Sequence, residues 1–229
     1  LYVQKNIFLG PATPENLQRE LVSIKEQIEK CIQKESPISI EKIGLQGGYL
    51  TTPEDTYRLY EGNSVSYLCY NQANTEKCMN RMLTLTEMEK SLNENIKFGL
   101  NKCISLSSFK KINYELKAEH APIVKTSIGK DNILITVNYP VKLSKAGVEV
   151  SVSDFSKTIS TPLGELYDVA NDILDIETEF GEFDQLIYML EKRGQYIIKK
   201  DRPYPDKLYI LQKKDNLYVF QFFIQGEPS

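Results

Sequence analysis

The sequence predicts an α+β protein: an antiparallel sheet packed against amphipathic helices, with disulfides tying the N-terminal half. Three observations predict it. Leu17, Leu21, Ile24 and Ile28 recur at helical spacing, as do Met88, Leu92, Ile96 and Leu100. Ile133, Ile135, Val137 and Tyr139 alternate with Leu134, Thr136 and Asn138, the period of a strand with one apolar face. Four cysteines, Cys31, Cys69, Cys78 and Cys103, all fall in the first half of the 229 residues.

The first helix is expected to start at Thr13, whose hydroxyl can cap, with Pro14 at the first helical position and Glu15 at the positive end. Its apolar stripe runs through Cys31 and Ile32, and helix formation is expected to fail by Ser36-Pro37. Ile40–Leu50 then reads as a short strand or two, with Gly44, Gly47 and Gly48 permitting a bulge or tight turn. This block lacks the pattern of a phosphate loop. Pro53–Ser64 reads as an extended surface excursion and Val65–Tyr70 as a strand leading into the polar segment 70–77. A second helix follows, where Thr84 with Glu87, or Thr86 with Glu89, forms a capping box.

The middle of the chain is strand-rich: Ile112–Leu116, Ile123–Ile128, Ile133–Tyr139 and Val148–Val152. Gly129, Asp131 and Asn132 mark a hairpin turn, and Pro140 is expected to close its strand. Thr161-Pro162 opens a third helix ending near Gly181, and a shorter one spans Asp184–Arg193 with Gly194 behind it. The tail returns to strands at Gln195–Lys199, Lys207–Leu211 and Asn216–Ile224. One body over residues 1–229 is expected, with its weakest seam at residues 157–162.

Hydrophobic residues make up 41% and charged residues 26%, a composition with ample core material. No apolar run is long enough to span a membrane. The net charge of −3, with no aromatic track joined to a basic groove, argues against a nucleic-acid partner. Charge is segregated all the same. Glu165–Asp184 holds eight acids and no Lys or Arg, while Lys192–Lys214 holds eight basic residues. Two solvated faces explain this best. The alternatives are a weak cation site on Asp168, Asp172 and Asp175, and a basic surface for anionic lipid or an acidic partner.

The cysteines have neither the knuckle spacing of a zinc site nor a CxxC pair, so no metal or cofactor is expected. An even, widely spaced set reads as two disulfides and an extracytoplasmic protein. Of the three pairings, the layout of elements favours Cys31–Cys103, joining the ends of the two helices, with Cys69–Cys78 around a polar loop. Chain entropy alone makes them worth roughly 4 and 3 kcal/mol. The rival reading keeps all four as buried thiols in a cytosolic protein.

The order of these features resembles a family of uncharacterised archaeal surface proteins usually preceded by one type-IV-pilin-like hydrophobic segment. The resemblance rests on Cys31, the block Gly44-Leu45-Gln46-Gly47-Gly48-Tyr49, Met88-Glu89 and Cys103, and continues through Ile133–Pro140 and Thr161–Ile176. It implies an extracytoplasmic, cell-surface domain, tethered by an upstream transmembrane segment absent from this chain. It transfers no activity to individual residues. The start of the chain is too polar for an intact secretory signal and has no initiator Met, which fits the removal of an upstream element.

No catalytic residue is expected. His120 has no nucleophile elbow beside it, and pairs such as Glu54 with Asp55 or Glu165 with Asp168 carry no signature of their own. The candidate binding surface is instead Tyr49, Tyr57, Tyr60, Tyr67 and Tyr70, five tyrosines within 22 residues around polar and glycine-containing loops. Tyrosine offers large contact area at low entropic cost, suited to another envelope protein or a surface polymer. The expected function is surface recognition or structure. The rival is an extracytoplasmic hydrolase whose carboxylates or His120 converge only in three dimensions.

Overall fold

The first helix, α1 (Pro14–Leu45), runs for 32 residues, about 48 Å, and does not stop at Pro37. Pro37 has no N–H for the preceding turn, yet Ser36, Ser39, Ile40, Ile43 and Gly44 are all buried around or beyond it. Tertiary packing outweighs the local penalty. The expected strand at Ile40–Leu50 is therefore the last turn and a half of this helix plus a turn, with Gly47 and Gly48 at φ +68° and +92°. Gly44 serves contact: a side chain there would collide with the Val219 carbonyl and the Tyr218 ring.

The computed structural model describes residues 13–71, 78–106 and 114–226. The predicted excursion at Pro53–Ser64 is part of a hairpin, β1 (Tyr57–Tyr60) and β2 (Asn63–Tyr70), turned at Glu61-Gly62 with positive φ at both. The polar loop beyond it lies outside the described residues except at its ends. After β3 (Met79–Asn80) comes α2 (Leu85–Cys103), where the Thr84–Glu87 capping box is the one formed. Next are β4 (Glu115–Ala118), β5 (Ile123–Ile128), β6 (Asn132–Lys145) and β7 (Val148–Ser160); positions 112–113 of the expected first strand lie outside the described residues. Pro140 does not end its strand. It sits in a register shift between Asn138 and Val141, where a bulge residue needs no ladder hydrogen bond.

Thr161 does not cap the next helix, α3 (Leu163–Phe180). Pro162 takes the N-cap position, and the buried Thr161 hydroxyl has no partner among the described residues. The helix start is satisfied instead by the β5–β6 turn, where Lys130 O accepts from Glu165 N at 3.1 Å. That bond, with Thr161 N donating to Asp131 O at 3.0 Å, stitches residues 157–162, the expected seam, to the neighbouring turn. Asp184 caps the short α4 (Gln185–Glu191), and the chain ends in β8 (Tyr196–Asp201), β9 (Lys207–Lys213) and β10 (Val219–Ile224).

Two sheets result. In the first, β6 pairs with β7 along one side and with β5 and β4 along the other, all antiparallel. The second runs β1-β2-β10-β9-β8, with β3 also on β2; only β2 and β10 are parallel. The tail strands thus join the N-terminal hairpin rather than the central sheet. The helix α1 contacts β7, α2 and β10, so one apolar cluster runs from Leu17 through Ile135 and Leu174 to Phe222. Both expected disulfides are present: Cys31–Cys103 with an S–S distance of 2.06 Å, and Cys69–Cys78 with Cα atoms 5.2 Å apart. None of the four cysteines is free, which favours the disulfide reading over that of four buried thiols. Two disulfides mark a protein suited to an oxidising, extracytoplasmic compartment. Among the described residues, no helix is long and apolar enough to cross a membrane.

Candidate binding face

Four of the five predicted tyrosines lie on strands of one hairpin rather than in loops, and strand geometry decides which of them meet. Tyr57 and Tyr60, three apart on β1, point to opposite faces. Tyr60 joins Tyr67 around a small second cluster of Val65, Leu208 and Phe223. In an unbroken strand Tyr70 would face away from Tyr67. However, the β2–β10 register moves from Tyr67↔Phe223 to Cys69↔Ile224, so β2 carries one extra residue. This bulge lets both Leu68 and Cys69 enter the main core and turns the Tyr70 ring edge-on to Tyr67, centroids 5.9 Å apart.

The sequence gives no local signal for the residues that complete this face. The Arg81 guanidinium lies 5.6 Å from the Tyr70 centroid, a cation–π contact, and has no hydrogen-bond or ion-pair partner among the described residues. The Arg81 carbonyl accepts from the Tyr49 hydroxyl at 2.6 Å, which fastens the glycine turn to the same edge. A connected track therefore runs Tyr49, Arg81, Tyr70, Tyr67 and Phe223, with Tyr57 outside it. Tyr49 also borders a cleft of about 370 Å³ between Leu50, Ser91 and Phe98.

Beneath the track sits Asp206, whose side chain is 6% exposed. Its Oδ2 accepts from Arg58 Nη1 and from the Tyr67 hydroxyl, both at 2.7 Å, and its Oδ1 accepts from Gly226 N at 3.2 Å. Arg58 also donates to Pro203 O at 2.9 Å and lies 5.7 Å from the Phe223 centroid. Burial, and then the hydrogen bond to Asp206, hold the Tyr67 hydroxyl well above the ordinary phenol range, so it stays protonated as a donor. This node pins the β8–β9 loop over the second cluster.

The other candidates are engaged in local or framework contacts. His120 is exposed, with Nδ1 2.7 Å from the Ala121 carbonyl. Asp172 accepts from Tyr188 at 2.6 Å, and no group of three or more potential metal ligands occurs among the described residues. Glu165 is bound by Lys213 at 2.6 Å. The most buried acid, Glu177, accepts from Lys207 at 2.6 Å, from Phe183 N at 3.0 Å and from the Tyr209 hydroxyl, all of them parts of the frame. Fold and face together define a disulfide-clipped α+β domain with an aromatic and guanidinium surface. No family model, curated protein or solved structure matches the chain.

Proposed function

We propose that this chain is the extracytoplasmic recognition domain of a membrane-anchored archaeal surface protein, and that it contacts another envelope protein or a surface polymer through Tyr60, Tyr67, Tyr70 and Arg81. The observation that carries the reading is Arg81: a half-buried guanidinium held against an aromatic ring, with its donors unclaimed among the described residues. Arginine and tyrosine are the residues enriched where surfaces bind, because each combines a flat apolar face with directed hydrogen bonding. The two disulfides supply the compartment. The archaeal source and the anchor rest on the family resemblance.

The test is saturable association of the disulfide-intact domain with archaeal envelope fractions, comparing Tyr70→Ala and Arg81→Ala with the parent. Binding that saturates and weakens in both variants is expected. No saturable binding, or binding indifferent to both changes, removes this face as the functional site.

A further inference from the structure

We propose that the cleft between Tyr49 and α2 binds a neutral sugar unit of a glycan. This deepens the surface-polymer reading of the proposed function, at a cleft that shares Tyr49 with the aromatic face. Helical spacing builds one wall: Ser91, Glu94, Asn95 and Phe98 stand at i, i+3, i+4 and i+7 along α2. Tyr49, Leu50 and Thr51, just past the Gly47-Gly48 turn, form the other. Both walls are fixed in place. Gly48 N donates to Ile43 O at 2.7 Å and the Tyr49 hydroxyl to Arg81 O at 2.6 Å. On the opposite side the Ser39 hydroxyl donates to Asn95 Oδ1 at 2.9 Å, which ties α2 to α1. The enclosed volume of about 370 Å³ lies at the low end for small-ligand sites.

Phe98 supplies an apolar platform. Its ring is 60% exposed and belongs to neither apolar cluster, so it plays no part in the core. Lys102 Nζ lies 3.9 Å from the ring centroid and engages one of its two faces. The polar groups beside the ring are of both kinds. Ser39 takes the Asn95 oxygen, so the NH2 is the unclaimed end, a donor without a partner among the described residues. Ser91 donates to Glu87 O at 3.0 Å and Tyr49 to Arg81 O, which leaves both hydroxyl oxygens able to accept. The Glu94 carboxylate accepts and the Thr51 hydroxyl can do either, and neither has a partner among the described residues.

That inventory selects the ligand. A pyranose has an apolar C–H face and a rim of hydroxyls, each able to donate and accept. It meets an aromatic ring and a mixed set of donors and acceptors with every group engaged. A purely apolar ligand would desolvate Asn95 and Glu94 without replacing their hydrogen bonds. An anion would face Glu94, the one formal charge lining the cleft. A divalent cation would find a single carboxylate there, too few oxygen ligands to hold it.

The probe is a panel of neutral disaccharides of glucose, galactose, mannose and N-acetylglucosamine, titrated into the isotope-labelled, disulfide-intact protein and followed by amide chemical shifts. At least one should saturate, with shifts centred on Thr51, Asn95 and Phe98. Phe98→Ala should raise its Kd about tenfold, and Phe98→Tyr, which keeps the ring, should not. The uronic-acid counterpart of that sugar should bind more weakly, because Glu94 repels its carboxylate. No saturable shift with any member of the panel, shifts centred elsewhere, or a Kd indifferent to Phe98→Ala overturns the proposal. So does equal binding of the uronic acid, or an equal response to hexanol, which would show that the cleft reads apolar surface alone. Tyr70→Ala should leave sugar binding intact; that change tests the aromatic face, so failure of one reading is distinguishable from failure of the other.

Discussion

Asp206 lets the structure be tested at one atom pair. Truncation to alanine removes an acceptor from three donors at once: Arg58 Nη1, the Tyr67 hydroxyl and Gly226 N. Breaking a buried ion pair costs about 3–5 kcal/mol when the surviving charge stays dry. Here Arg58 is 38% exposed and keeps Pro203 O, so it rehydrates in part and the pair term falls below that range. Adding the stranded Gly226 N–H and Tyr67 hydroxyl brings the expected loss to about 3 kcal/mol. In a chain of this size that lowers Tm by about 6–12 °C.

Asparagine at the same position sharpens the prediction. Both carboxylate oxygens accept from N–H groups that cannot turn around, so either amide orientation sets NH2 against a donor. The better orientation keeps Arg58 and Tyr67 and sacrifices Gly226, a loss of about 1–2 kcal/mol. The order should be parent, Asp206→Asn, Asp206→Ala, measured by urea unfolding under oxidising conditions with far-ultraviolet circular dichroism as the probe. An Asp206→Ala protein within about 0.5 kcal/mol of the parent, the range of indifferent surface changes, would refute the reasoning. So would an asparagine variant no weaker than the parent.

Removing the Cys31–Cys103 bridge by paired serine substitution should cost about 4 kcal/mol, because it closes a loop of 72 residues' separation; a urea midpoint unchanged by the double substitution would contradict this. Alkaline titration should show delayed tyrosines: burial raises Tyr67, Tyr188, Tyr209 and Tyr218 above the ordinary phenol value of about 10, and hydrogen-bonded carboxylates raise the first three further. A raised folded-state pKa means the folded state holds the proton longer, so stability is full below pH about 10 and falls as pH rises beyond it. Tyrosinate absorbance should therefore lag for these residues and appear together with unfolding; smooth titration of all fourteen tyrosines near pH 10 with the fold intact would contradict it.

What was legible in the sequence was local and periodic. Thr84 and Glu87 form a cap because the two groups are three residues apart, and both arms of the box are made. The similar pair Thr86 and Glu89 looks equivalent in sequence, but Glu89 is spent on Ile128 N, 39 residues away. Both internal prolines misled for one physical reason. Pro37 and Pro140 obey a local rule that a buried helix face in one case, and a bulge in the other, overrides. The tyrosines were found by proximity, but their grouping turns on the Glu61-Gly62 hairpin and the extra residue in β2. Arg81 and Asp206 reach the face through pairings no window on Tyr49–Tyr70 contains.

The segregated charges bear on which cation remains for binding. The acidic run became α3 and its C-terminal turn, and the basic run became β8 and β9, which pack against it. Lys213 meets Glu165, Lys207 bridges Glu177 and Glu182, Lys200 and Arg202 meet Glu182, and Lys192 approaches Asp172. A stretch that reads in sequence as a basic surface for lipid or an acidic partner is therefore largely neutralised within the fold. Pairs of this kind are worth little individually where exposed. Lys200, whose side chain is nearly buried, and Glu177 are the exceptions, and they fix how α3 sits on the tail strands. With those cations engaged, Arg81 is one of three, with Lys102 over Phe98 and Lys145 over Tyr114, that have an aromatic ring beside them and no ion pair among the described residues, and it is the one that adjoins the tyrosine face. The proposed recognition face lies there, rather than on the conspicuous basic tail, because Arg81 adjoins the tyrosines while most of the tail's cations are paired.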